Sequence, residues 1–135
     1  MNHWKRRERD VIKKYGGKVN ANSGAMWHSK GDGRHGERWV QEVKSTAKDT
    51  FKVTNGVIRK LLQDARVSSR TPMLLVNFIR HHREIIVVPG YCLELETLES
   101  DNTLEPYSHM IHFAAGGQVF KVVSGSIGRD LLKLA

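Results

Sequence analysis

One cysteine, three prolines and a shortage of acids in the first half mark what this chain of 135 residues has little of. Cys92 has no second thiol for an internal disulfide or a zinc site, which fits a reducing compartment and a buried structural role. No run of about 18 apolar residues occurs, and the opening MNHWKRRERD has no apolar stretch behind it, so we expect neither a membrane span nor a secretory signal, but a cytoplasmic protein. The phosphate-binding pattern G-x-x-x-x-G-K-[ST] is absent, and no G-x-G-x-x-G precedes a helix, which leaves nucleotide binding without support. HMIH (109–112) and HH (81–82) lack the cysteine partners of a zinc site and read as structural or incidental histidines. No repeat, low-complexity stretch or linker divides the chain, and its length suits one domain, 1–135, burying about two-thirds of its unfolded surface.

What is present is positive charge, unevenly placed. Residues 1–70 carry 17 Lys and Arg against 7 Asp and Glu, whereas residues 71–135 carry 5 against 7. A small basic domain of this kind favours a polyanion, most commonly nucleic acid. Arg6, Arg7, Arg9, Lys30, Arg34, Lys48 and Lys52 are candidate DNA-binding residues acting on phosphates, though any one of them read singly is also a solvated charge.

Hydrophobic spacing divides the chain into elements. Trp4, Val11, Ile12 and Tyr15 stand at i, i+7, i+8 and i+11, one face of a helix over residues 3 to about 15 that Gly16-Gly17 stops; the missing i+4 member is Glu8, a carboxylate on the inward face. KVNAN (18–22) reads as a short strand and SGA (23–25) as a tight turn. GDGRHG (31–36) joins a first strand end to ERWVQEVK (37–44) as a hairpin. In that second strand a period of two puts Trp39, Gln41 and Val43 on one face and Val40, Glu42 and Lys44 on the other. Thr54 caps a second helix, NGVIRKLLQDAR, with Val57, Leu61, Leu62 and Ala65 as its apolar stripe. PMLLVNFI (72–79) and EIIVVP (84–89) flank the basic turn RHHR, and their near-continuous apolar character predicts strands buried on both faces under helices. Beyond Gly90 the reading is YCLELETLE as helical, MIHF and QVFKVV as strands around AAGG, and SIGRDLLKLA as a short terminal helix.

Asp32 followed ten residues later by Glu42-Val43-Lys44 is the pattern with chemistry in it. Two carboxylates a hairpin apart can hold a hard divalent cation through oxygen, and Mg²⁺ keeps several waters and takes only one or two protein carboxylates. A lysine two residues on, along the same face, can orient an attacking water or neutralise charge on a phosphate. Read singly, Asp32 is a turn-former, Glu42 and Lys44 a solvated strand face, and Glu8 the partner of a neighbouring arginine. Their joint order favours a metal site.

That order resembles the PD-(D/E)xK nuclease superfamily, and within it the archaeal-type Holliday-junction resolvases and similar phage enzymes. The likeness is carried by Glu8 in RRERD, Ser23 in NSGA, Asp32, Glu42-Val43-Lys44 followed by Ser45-Thr46, a helix, and PMLLVNF. It covers about residues 5 to 89; Gly31 stands where the signature often has proline, and 91–135 match nothing recognised. The resemblance implies an α/β fold with a restriction-endonuclease-like core, a central mixed β-sheet flanked by helices. It implies catalytic Glu8, Asp32, Glu42 and Lys44, with Glu8, Asp32 and Glu42 as ligands of Mg²⁺, for which Mn²⁺ substitutes, and Ser23 as a phosphate contact or a turn residue. The expected protein is a DNA endonuclease acting on branched DNA such as a four-way junction, in a bacterial, archaeal or phage-infected cell. The rivals are a restriction-like or repair nuclease on linear DNA and a noncatalytic basic DNA-binding protein. Two symmetric cuts by subunits with one cluster each call for a homodimer. MIHF with QVFKVV, or PMLLVNFI with EIIVVP, then supply either the interface or the core of one subunit.

Overall fold

A computed structural model describes residues 3–15, 18–19, 33–35 and 38–134, with side chains from Glu8 onward in the first helix and from residue 38 onward in the rest. Asp32, Ser23 and Lys30 lie outside the described residues, and the side chains of Arg6, Arg7 and Arg34 are likewise outside them.

The element order is α1 (His3–Lys14), β1 (Lys18–Val19), β2 (Gly33–His35), β3 (Trp39–Thr46), β4 (Phe51–Lys52), α2 (Asn55–Ser68), β5 (Thr71–Phe78), β6 (Arg83–Pro89), β7 (Leu98–Glu99), β8 (Thr103–Leu104), β9 (Ile111–Ala115), β10 (Gln118–Ser124) and α3 (Gly125–Leu131). Eight strands form one mixed sheet in the order β1-β2-β3-β5-β6-β10-β9-β7, and β4 pairs with β8 apart from it. β3 runs parallel to β5 through the α2 crossover, with Glu42 beside Leu74 and Lys44 beside Val76, while β2, β6 and β10 meet their neighbours antiparallel. The chain is therefore α/β with a central mixed sheet flanked by helices, as its sequence predicts.

Period-two alternation along the central strands produces two cores. On one face Trp39, Val43, Met73, Leu75, Ile86 and Val88 pack with Val11, Ile12 and Tyr15 of α1 and with Leu132 and Leu134 after α3. On the other, Leu74, Val76, Ile85, Val87 and Val122 pack under Ile58 and Leu61 of α2, with Val53 and Leu104 beside the β4–β8 ladder. Burial of β5 and β6 on both faces is complete from Pro72 to Phe78 and from Ile85 to Pro89. These strands, together with Phe113, Phe120, Val122 and Val123 of β9 and β10, are core within one subunit. Of the two roles open to these stretches, the buried side chains take the core of one subunit, while Val119 of β10 stays exposed and Ile111 of β9 half-buried.

Local chemistry sets the ends. The Thr54 hydroxyl accepts the Val57 amide at 3.3 Å, capping α2, and Ser69 closes the helix in the left-handed region. Thr54→Ala is expected to cost about 1 kcal/mol, read as a lower midpoint in denaturant with an unchanged slope. The buried stripe of α2 is Ile58, Leu61, Asp64 and Ala65, with Val57 and Leu62 only half-buried, so the apolar face is rotated from the one the sequence predicts and carries an acid. Gly116 and Gly117, both at positive φ, form the two-residue turn between β9 and β10.

Two expected elements come out differently. The hairpin expected of GDGRHG and ERWVQEVK is present, but its first strand reaches further than expected, because Gly33–His35 itself pairs with Trp39–Gln41. YCLELETLE is not a helix: after a single 3₁₀ turn at Gly90–Cys92 the chain is extended, and the carbonyls of Leu93 and Leu95 both accept the Lys121 ammonium at 2.8 Å. Leu93 and Leu95 alternate with glutamates, which is the period of an extended strand packed on the core, and a lysine from β10 replaces the helical amides as donor.

Candidate active site

β3 carries the site because each of its faces has a different neighbour. Trp39, Gln41 and Val43 point toward α1, where the Gln41 amide donates to the Tyr15 carbonyl at 3.4 Å. Val40, Glu42 and Lys44 point toward α2. The side-chain alternation predicted from the sequence thus holds, and it brings Glu42 and Lys44 together, Lys44 Nζ lying 3.4 Å from Glu42 Oε1.

Glu42 is deeply placed, its side chain only 7% exposed against 37% for Lys44. Burying a carboxylate strands its charge unless cations or donors meet it. Lys60 of α2 meets it from the other side, with Nζ 3.1 Å from Glu42 Oε2 and 3.2 Å from Asp64 Oδ2, one helical turn further on. Each oxygen of Glu42 therefore faces an ammonium. Burial pulls the Lys60 ammonium toward a lower pKa, but the carboxylates of Glu42 and Asp64 outweigh it and the net direction is upward. Raised above the ordinary lysine value of 10.5, the group stays charged through neutral pH, and its contribution to stability is lost only as pH rises beyond that value.

Lys60 and Asp64 were not among the sequence candidates. The available signal was Asp64 itself, an acid inside the Ile58–Leu61–Ala65 stripe with a lysine four residues earlier.

The other candidates separate. Glu8 is half-buried on α1, in keeping with its inward place in the helical period, and it is engaged by its surroundings. α1 covers the Trp39–Val43 face of the sheet, opposite the face from which Glu42 and Lys44 project. Asp32 lies outside the described residues, and the first described residue after it, Gly33, pairs with Gln41. Arg9, Lys48 and Lys52 are exposed. A groove of about 540 Å³ along the outer flank of α2 adds Arg59, Gln63 and Arg66, which face Gly116 of the β9–β10 turn.

Among the described residues, His81, His109 and His112 make their contacts outside this cluster. His81 Nε2 lies 2.7 Å from Asp49 Oδ1, and that hydrogen bond holds the exposed Asp49 carboxyl below the usual range. His112 Nδ1 meets Thr97 Oγ1 at 2.8 Å and His109 Nδ1 meets the Tyr107 carbonyl at 2.9 Å. Among the described residues no three His, Cys, Asp or Glu side chains gather as a metal cluster. The Cys92 thiol is half-buried, and burial raises its pKa while Arg38 pulls it down. No described helix is long and apolar enough to cross a membrane. Compared with protein-family models and with curated proteins, the chain matches none.

Proposed function

We propose that this chain is a metal-dependent DNA endonuclease that hydrolyses phosphodiester bonds, with branched DNA such as a four-way junction as its substrate. The observation that carries the reading is the Glu42–Lys44 pair: a buried carboxylate and a half-exposed ammonium, 3.4 Å apart, projecting from the same face of a sheet-interior strand. A solvated strand face would leave Glu42 exposed. The succession of α1, the antiparallel β1, β2 and β3, then α2 and a β5 parallel to β3 supports the resemblance to PD-(D/E)xK nucleases.

The donor set fits Mg²⁺, or Mn²⁺ in its place. Glu42 presents hard carboxylate oxygens already oriented onto cations, and Asp32 is the further oxygen donor of this reading, while Glu8, on the helix over the opposite sheet face, is left to the test of its own substitution. When bound, the metal supplies Lewis-acid stabilisation of the phosphate and a more acidic water. The chain's own part is positional. Glu42 holds its carboxylate fixed by burial, Lys44 turns its ammonium toward the space beside it to orient a water or neutralise a phosphate oxygen, and Arg66 offers a backbone contact along α2.

One observation favours a rival: with both oxygens of Glu42 on lysines, the cluster is self-neutralised, as in a basic DNA-binding protein without catalysis. Cleavage of a four-way junction, a flap and a linear duplex, each with Mg²⁺ or with EDTA, decides among these. Mg²⁺-dependent cutting fastest on the junction is the expected outcome. Equal rates on linear duplex would replace the resolvase by a restriction-like or repair nuclease, and tight binding with no cutting would leave only the DNA-binding protein. The working unit of this reading is a homodimer, which sedimentation at micromolar concentration would show as twice the mass of one chain.

A further inference from the structure

Lys60 occupies the place a cation would take between two buried carboxylates. Its Nζ is 3.1 Å from Glu42 Oε2 and 3.2 Å from Asp64 Oδ2, while the two acids are only 7% and 11% exposed in their side chains. The lysine itself is 51% exposed and reaches in from solvent on a flexible stem, so it can leave without disturbing the core. Asp64 stays fixed on the buried face of α2 and holds that stem by its i,i+4 contact.

We propose that Lys60, anchored by Asp64, is a positioning residue that sets the metal affinity of the site: its ammonium is the counter-ion of Glu42 in the metal-free protein, and a divalent cation binds by displacing it. This rests on the metal-nuclease reading of Glu42. The consequence is a site whose buried carboxylate is never left unpaired. Without metal, lysine neutralises Glu42 and the fold is kept; with metal, the dication takes over Glu42, and the freed ammonium remains beside Asp64 at the solvent edge.

Magnesium binding by calorimetry, without DNA, tests it in wild type and three variants. Lys60→Met removes the competitor and should tighten Mg²⁺ binding by about tenfold. Lys60→Arg keeps the charge and should bind close to wild type. Arg59→Met, which removes the neighbouring positive charge from the groove side of α2, should leave the affinity nearly unchanged. In wild-type protein, which avoids any loss of folding in the variants, the Lys60 Nζ resonance should move from its metal-free position as Mg²⁺ saturates and the contact with Glu42 is lost while that with Asp64 is kept. Unchanged affinity in Lys60→Met, equal tightening by Arg59→Met, or an Nζ signal unmoved by saturating Mg²⁺ would overturn the role of Lys60 while leaving the metal site standing. No Mg²⁺ binding in either wild type or Lys60→Met would overturn the metal site and, with it, the role of Lys60.

Discussion

Glu42→Gln should lower Mg²⁺-dependent cleavage by a factor of about 10³ or more while DNA binding and the fold survive. The substitution keeps the size of the side chain and an oxygen that can accept from the lysines, but removes the negative charge that a hard dication requires. Lys60 retains Asp64 as its partner and Lys44 is partly solvated, so neither is left as a buried unpaired charge. Asp32→Asn should behave in the same way. Lys44→Ala should also lose activity with the fold intact, because its ammonium stands at the solvent edge of the carboxylate rather than in the core. Glu8→Gln should reduce cleavage strongly with little change in stability. Wild-type turnover in Glu42→Gln would sink the assignment, and a fully active, more stable Glu8→Leu would make that position part of the helix packing alone. Gel-shift affinity and thermal melting, run on the same preparations, separate lost chemistry from lost structure.

Gly125→Ala should be the most damaging small substitution for stability. A Cβ at this position would collide with Tyr15 Oη and fall 2.8 Å from Tyr15 Cζ and 2.9 Å from the Glu84 carbonyl oxygen. Tyr15 is among the largest fully buried side chains, and the backbone carbonyl belongs to β6, so neither yields cheaply. Burial is also the main cause that drives the Tyr15 phenol far up from its ordinary pKa, reinforced by the charge of Glu84, and the hydroxyl is therefore neutral in the core. Overpacking of this kind costs about 3 kcal/mol or more, which for a domain of this length lowers the melting temperature by roughly 10 °C. Tyr15→Phe in the same background should restore part of the loss, because it deletes the nearest clashing atom and leaves the ring. A Gly125→Ala protein that melts like wild type would show that α1 and the start of α3 are not packed this tightly.

The parts of this fold that depend on local rules were legible in the residues. Thr54 before a run with helical period, the apolar blocks 72–79 and 84–89 around RHHR, and the alternation in ERWVQEVK each identify an element, because capping, two-sided burial and the period of two act over a few residues. The alternation also placed Glu42 and Lys44 on one face without any tertiary information. What failed were stretches in which a distant group decides the backbone. YCLELETLE has enough leucine and glutamate for a helix, yet Lys121, 28 residues beyond Leu93, takes its carbonyls and holds it extended. The hairpin of GDGRHG and ERWVQEVK was legible, but not that three residues of the glycine-rich stretch themselves pair with β3.

The sequence by itself determined an α/β chain, a basic first half, and a carboxylate and a lysine side by side on one strand. Only the tertiary structure decided that this carboxylate is buried, that α1 and α2 cover opposite faces of the strand that carries it, and that Lys60 and Asp64 complete its surroundings. The physical reason is distance along the chain: Glu42 and Lys60 are 18 residues apart, and no local propensity reports which helix face meets which strand face until both have packed on the same sheet.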